Sequence, residues 1–146
     1  HLAANVEIKP ARGLEVETAR AVARAAAHWW RNAELPPLLS SFSVAALEEA
    51  CRTESLLPRG LLVEALSPAA LEACARLGAV SLHLDARRLS RAQVAEIRAA
   101  GLWVVAYTEN DPMRARVLFN WGVECVITDR PDLVREHFAL SAEHAC

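Results

Sequence analysis

The chain has 146 residues, 53% of them hydrophobic, and a formal net charge of −2 at pH 7. That length and apolar content suit one packed domain spanning the whole chain, and the near-neutral charge argues against a surface built for nucleic acid. A membrane is not an expected partner either: Arg20 and Arg24 interrupt the alanine-rich stretch from Ala19 to Trp30, and no apolar run approaches the roughly 20 residues needed to cross a bilayer.

In chain order, the first strand is expected within Ala4-Asn5-Val6-Glu7-Ile8-Lys9-Pro10. Alternation sends Val6 and Ile8 to one face and Asn5, Glu7 and Lys9 to the other, so an acid and an amine stand two residues apart on one side. In a parallel α/β barrel the outer apolar face is covered by helices, and such a polar face points inward toward the mouth. A helix follows from about Leu14 to Trp30, with Leu14, Ala21, Val22, Ala25 and Trp29 as its apolar positions. Leu38 and Leu39 begin a second strand ending in Ser40, Ser41 and Phe42, and Ser43 is placed to cap the next helix, which runs through Leu47 and Cys51. Leu61-Leu62-Val63 is a third strand; Ser67 and Pro68 supply the cap and first turn of a helix that Gly78 stops.

The rhythm continues. Val80 through Asp85 alternates apolar and polar residues, and the helix after it opens on a Ser90–Gln93 capping box and ends at Gly101. Leu102 to Tyr107 is a hydrophobic strand; Asp111 and Pro112 start a helix that Gly122 ends; Val123 to Ile127 is the last strand. Pro131 opens a final helix through Phe138, with Ser141 to Cys146 as a frayed end. Six strand-and-helix units at intervals of about 20 to 25 residues are the signature of a parallel sheet. An open doubly wound sheet would carry a glycine-rich turn after its first strand, and none is present.

Four cysteines, Cys51, Cys74, Cys125 and Cys146, are widely spaced, with no CxxC pair and no His at zinc-site distance. Three read as small buried hydrophobes and Cys146 as part of a loose tail, which favours a reducing, cytoplasmic setting. Of the 16 basic residues Lys9 alone is a lysine, consistent with a need for a compact, rotatable charge where a planar guanidinium would not fit. Polar residues gather at the C-terminal ends of successive strands: Glu7 and Lys9, Ser40 and Ser41, Glu64, His83 and Asp85, Tyr107 and Glu109, Thr128 and Asp129. In a β/α barrel that rim holds the site. Taken singly, Asp85, Glu109 and Asp129 also fit plain solvated positions at the start of a loop.

Several segments, in order along essentially the whole chain, resemble those of glycerophosphodiester phosphodiesterases. They are Asn5-Val6-Glu7-Ile8-Lys9-Pro10, Leu39-Ser40-Ser41-Phe42-Ser43, Pro58-Arg59-Gly60-Leu61-Leu62, Val80-Ser81-Leu82-His83-Leu84, Tyr107-Thr108-Glu109-Asn110, and the run from Trp121 to Asp129. The resemblance implies a parallel β/α (TIM-type) barrel in which the six strands are the third to the eighth. It further implies metal-dependent hydrolysis of glycerophosphodiesters to glycerol 3-phosphate and an alcohol. By the same match Glu7 would be a ligand of a divalent metal, Mg or Ca; Lys9 would lie against the substrate phosphate; Tyr107 would stand beside the glycerol; and His83 and Ser41 would contribute to substrate binding from the rim. These residue types suit the chemistry, since a hard cation takes carboxylate oxygens and an ammonium balances charge on phosphoryl oxygens.

The sequence departs from the family at its front. The family's His-Arg-Gly, Glu-x-Asp and His-Asp motifs, which supply the acid/base histidines and other metal-binding carboxylates, are not in it. His1 reads as a loop residue or a remnant. A barrel of this type has about 250 residues and eight strands, so the chain corresponds to one without its first two βα units and is expected to be inactive by itself. Its outermost strands would each expose an unpaired edge through which it would self-associate or pair with another chain. Two readings of different class follow: part of a catalytic domain, or an inactive fragment or pseudoenzyme that binds a phosphate compound or serves as an interaction module. A relative of the phosphoinositide-specific phospholipases is disfavoured, because no basic amphipathic helix is present.

Overall fold

The structure, a computed structural model, describes residues 3–143. Strand and helix alternate along them: β1 (Asn5–Glu7), α1 (Glu15–Trp30), β2 (Leu38–Ser41), α2 (Val44–Thr53), β3 (Arg59–Val63), α3 (Pro68–Leu77), β4 (Ser81–Asp85), α4 (Arg91–Ala99), β5 (Trp103–Tyr107), α5 (Pro112–Trp121), β6 (Cys125–Val126) and α6 (Pro131–Glu143). The strands are ordered as in the sequence, with parallel pairing at β1–β2, β2–β3 and β5–β6. Each parallel pair needs a crossover, and a helix supplies it. This is the expected class, a partial parallel β/α barrel of TIM type. Among the described residues no helix is long and apolar enough to cross a membrane.

Local chemistry places the helix ends. The Ser43, Ser67 and Ser90 hydroxyls accept from the backbone N–H groups of Ala46, Ala70 and Gln93, and Gln93 reaches back to the Ser90 N–H to complete the capping box. Asp111 caps α5 through the Met113 N–H at 2.9 Å, with Pro112 in its first turn. Gly122 ends α5 at a φ of 100°, a conformation that costs a residue with a Cβ.

By its contacts the chain divides into two compact units, the first comprising the chain to Val63 with Ser67–Leu82, the second Glu64–Leu66 with the chain from His83 on. The first unit packs α1 and α2 on β1 and β2 through Ile8, Ala19, Ala23, Ala26, Leu39, Ala46, Ala50 and Leu57, with Val6, Val22 and Ala27 partly buried against them. The buried stripe of α1 therefore differs from the expected one. Only Val22 of the expected set joins the core, while Leu14, Ala21, Ala25 and Trp29 are exposed, Trp29 at 78%. Alanines at i, i+4 and i+7 bring the helix backbone close to the sheet, which a Trp would hold off. Beside this core, Glu49 is buried and accepts from Arg20 Nε at 2.8 Å and Arg52 Nη1 at 2.6 Å, joining α1 to α2. Arg59, also buried, donates to the carbonyls of Leu77, Ser55 and Leu57 at 3.1, 3.0 and 2.7 Å.

In the second unit Leu84, Val94, Ile97, Val104, Ala106, Ala115 and Leu118 are almost wholly buried. Glu124 holds the start of β5, accepting from the Val104 N–H at 2.7 Å, and pairs with Arg98 at 3.0 Å. Several boundaries differ from expectation. β6 is only two residues long, β3 begins earlier at Arg59, and α6 continues to Glu143, so Ser141 is helical. A 3₁₀ turn at Ala86–Arg88 follows β4. Of the cysteines expected to be buried, Cys74 is buried, Cys51 is half-buried and Cys125 is exposed, and all three are free thiols. Cys125 lies in β6, an end strand of the sheet, where among the described residues its side has no neighbouring strand to cover it. His1 and Cys146 lie outside the described residues.

Candidate functional site

In the first unit the face of β1 opposite the core carries Asn5 and Glu7, and Lys9 follows at the strand's C-terminal end. The Lys9 ammonium stands 3.5 Å from Glu7 Oε1, with the Lys9 side chain 81% exposed and that of Glu7 35%. At that distance and exposure the pair is loose, and each partner is available to a ligand. A cleft of about 370 Å³ opens beside Lys9, lined also by Arg12, Glu15, Ser41 and Phe42.

The two serines of β2 are placed differently. Ser41 is buried and its hydroxyl is engaged on both sides, donating to the Ile8 carbonyl at 2.7 Å and accepting from the Ser43 N–H at 3.0 Å. It fastens the end of β2 to the end of β1 and sets the start of α2. Ser40 is the register partner of Glu7, which puts its side chain on the face of Glu7, away from the helices.

In the second unit the C-terminal ends of β4 and β5 and the loop after β6 surround a cleft of about 410 Å³ lined by Asp85, Arg87, Tyr107, Thr108, Asn110 and Asp129. Asp85 Oδ1 accepts from the Arg87 N–H and Nε, and Oδ2 from Arg87 Nη2 at 2.7 Å. The Arg87 side chain thereby holds the carboxyl down to about 2. His83 is buried in β4, and burial pushes its imidazole down to about 4, so it is neutral near pH 7. Glu109 accepts from the Asp111 N–H at 2.9 Å. Asn110 Oδ1 accepts from Thr128 Oγ1 at 2.9 Å and from the Asp129 N–H at 2.8 Å, tying the loop after β5 to the loop after β6. Glu64 pairs with Arg88 at 3.6 Å.

Of the residues singled out in the sequence, Glu7, Lys9 and Ser41 thus come together in the first unit, and His83 and Tyr107 belong to the second. Sequence reasoning gave no role to Arg12, Arg87 or Asn110. An Asp with an Arg two positions on, opening an Asx turn at a strand end, was the available signal for Arg87; the Asn110 clamp joins residues 18 and 19 positions apart, and no local pattern marks it. Among the described residues no three His, Cys, Asp or Glu side chains gather so as to hold a metal ion. Glu7 offers a single carboxylate where a hard divalent cation takes about six oxygens, so these residues by themselves do not fit a metal site.

The model of the glycerophosphoryl diester phosphodiesterase family matches residues 1–133. Among solved structures, an Oleispira antarctica phosphodiesterase in complex with the product sn-glycerol-3-phosphate is 33% identical, with a TM-score of 0.84 over 94% of this chain and 56% of its own. A Silicibacter pomeroyi protein given the same family's name is 25% identical, with a TM-score of 0.79 over 92% of this chain and 49% of its own. At 23% identity, a Thermotoga maritima glycerophosphodiester phosphodiesterase shares the fold, with a TM-score of 0.68 over 92% of this chain and 57% of its own. The chain therefore spans about half to three-fifths of the length of these structures. No curated protein matches it.

Proposed function

Because the chain belongs to the glycerophosphoryl diester phosphodiesterase family, we propose that it supplies part of a site that hydrolyses glycerophosphodiesters to glycerol 3-phosphate and an alcohol. The observation that carries this reading is the Glu7–Lys9 pair, an acid and a mobile ammonium 3.5 Å apart at the C-terminal end of a parallel strand. The glycerol 3-phosphate bound to the Oleispira antarctica protein supports a small phosphate-bearing ligand.

In the reaction water supplies the new P–O bond, the P–O bond to the alcohol breaks, and the alcohol leaves carrying a proton. Charge on the non-bridging oxygens is offset by Lys9, a compact cation on a flexible stem that can follow them. Within the first unit Ser41 keeps the wall of the Lys9 cleft in place; Tyr107 and His83, in the second unit, are proposed as substrate-binding residues on the family resemblance, Tyr107 beside the glycerol. Glu7 would be one ligand of a divalent cation, Mg or Ca, which would polarise the phosphoryl group; the remaining ligands, with the general acid and base, would have to come from residues other than these. The chain alone is then inactive, and the end strands β1 and β6 provide the edges for a partner chain or a second copy. Free thiols at Cys51, Cys74 and Cys125 accord with a cytoplasmic setting.

The test is release of glycerol 3-phosphate from glycerophosphocholine, measured with Mg, with Ca and with a chelator, on this chain and on a protein of the full family length containing it. Cation-dependent release by the longer protein supports the proposal. Binding of glycerol 3-phosphate without release by either would replace it with the reading of an inactive phosphate-binding module.

A further inference from the structure

Ser40 is wholly buried, yet its hydroxyl has no hydrogen-bond partner among the described residues. A buried, unpartnered hydroxyl is costly, and native structures rarely keep one without a use. The sheet register shows what lies beside it. Ser40 stands between Glu7 of β1 and Gly60 of β3 in one row across the sheet. Gly60 has no side chain, so the Glu7 carboxylate is the single functional group flanking Ser40 in that row. Neighbouring strands run about 4.8 Å apart, within reach of a serine hydroxyl and a glutamate carboxylate. The contact Glu7 makes instead is the loose one to Lys9, through Oε1.

From this juxtaposition we infer that Ser40 is a positioning residue for Glu7. When a phosphate ligand draws the Lys9 ammonium away, the Ser40 hydroxyl donates to the Glu7 carboxylate and holds it in its ligand-facing orientation. The inference rests on the functional reading above and adds a residue to it. It also separates the adjacent serines: Ser41 is committed to the backbone, whereas Ser40 is kept for the site.

The experiment is a double-mutant cycle on affinity for sn-glycerol 3-phosphate, by calorimetry, with Ser40→Ala and Glu7→Gln singly and together, and with thermal midpoints of the unliganded proteins. Ser40→Ala is expected to weaken binding about tenfold on the wild-type background, the loss of one hydrogen bond to a charged group, and to have no further effect on the Glu7→Gln background. Its unliganded Tm should stay level or rise by about 3 °C, since an unpartnered polar group is removed. Ser40→Cys, nearly equal in volume and a weak donor, should repeat the loss where the alanine variant fails to fold. Unchanged affinity, or an equal loss on both backgrounds, overturns the role of Ser40 while leaving the functional reading intact. Absence of binding by the wild-type protein and by a full-length relative alike overturns that reading, and the inference with it.

Discussion

Lys9 and His83 show how one environment exposes a charge and another removes it. Lys9 keeps its ammonium in water beside Glu7, and the proposed role asks it to meet charge that grows in the transition state. Lys9→Ala in the full-length enzyme is therefore expected to lower turnover about 100-fold, as when one preorganised donor is lost; turnover equal to wild type in a steady-state assay would remove that role. His83 has the opposite setting. Burial holds it at about 4 against an ordinary 6.5, so between those values the unfolded chain binds more protons than the folded one. Its contribution to stability is complete above pH 6.5 and is lost as pH falls toward 4. Thermal midpoints measured across that window should fall less steeply in His83→Gln than in wild type; parallel curves would show that the burial of His83 carries no proton linkage.

Among the elements, the α1–α2 contact combines a small-residue core with one charged clamp. Ala19, Ala23, Ala26, Ala46 and Ala50 let the helices sit close to the strands, and Glu49 then ties Arg20 of α1 to Arg52 of α2. The hydrogen bond from Arg20 is the main reason that the Glu49 carboxyl titrates below its ordinary 4.5. Its folded value lies below the unfolded one, so the stability it contributes is present above pH 4.5 and is lost as pH falls below it. Glu49→Gln should lower the Tm at pH 7, with the gap to wild type narrowing as pH falls below 4.5. A gap of constant size would mean that the glutamine disturbs packing and that the charge is immaterial.

For the molecule as a whole, the sheet order leaves β1 and β6 as end strands. An exposed strand edge offers unpaired N–H and C=O groups to another chain, and under the proposed function those edges are where the rest of the barrel, or a partner, is joined. The isolated chain is expected to associate in a concentration-dependent way, readable by light scattering or sedimentation, and a full-length protein containing it to remain monomeric under the same conditions. A chain that stays monomeric up to high concentration would show that its edges are protected and that pairing has no part in the function.

The sequence alone determined what depends on neighbours in the chain. Ser43, Ser67 and Ser90 with Gln93 mark helix starts, Gly78 and Gly122 mark helix ends, and Val6 and Ile8 oppose Glu7 and Lys9, because capping, left-handed turns and strand alternation act within a few residues. The order of strands and helices, and with it the α/β class, followed from those marks, and the Glu-Ile-Lys strand with the segments after it carried the family. Only the tertiary structure decided between patterns that are locally equivalent. An alanine-rich helix offers more than one apolar stripe, and packing on β1 and β2 chose Ala19, Ala23 and Ala26 over Leu14, Ala25 and Trp29. Two adjacent serines read alike, and pairing register sent Ser41 to the backbone of Ile8 and Ser40 to the row of Glu7. Both choices rest on partners distant in sequence, a distance over which local propensity carries no information.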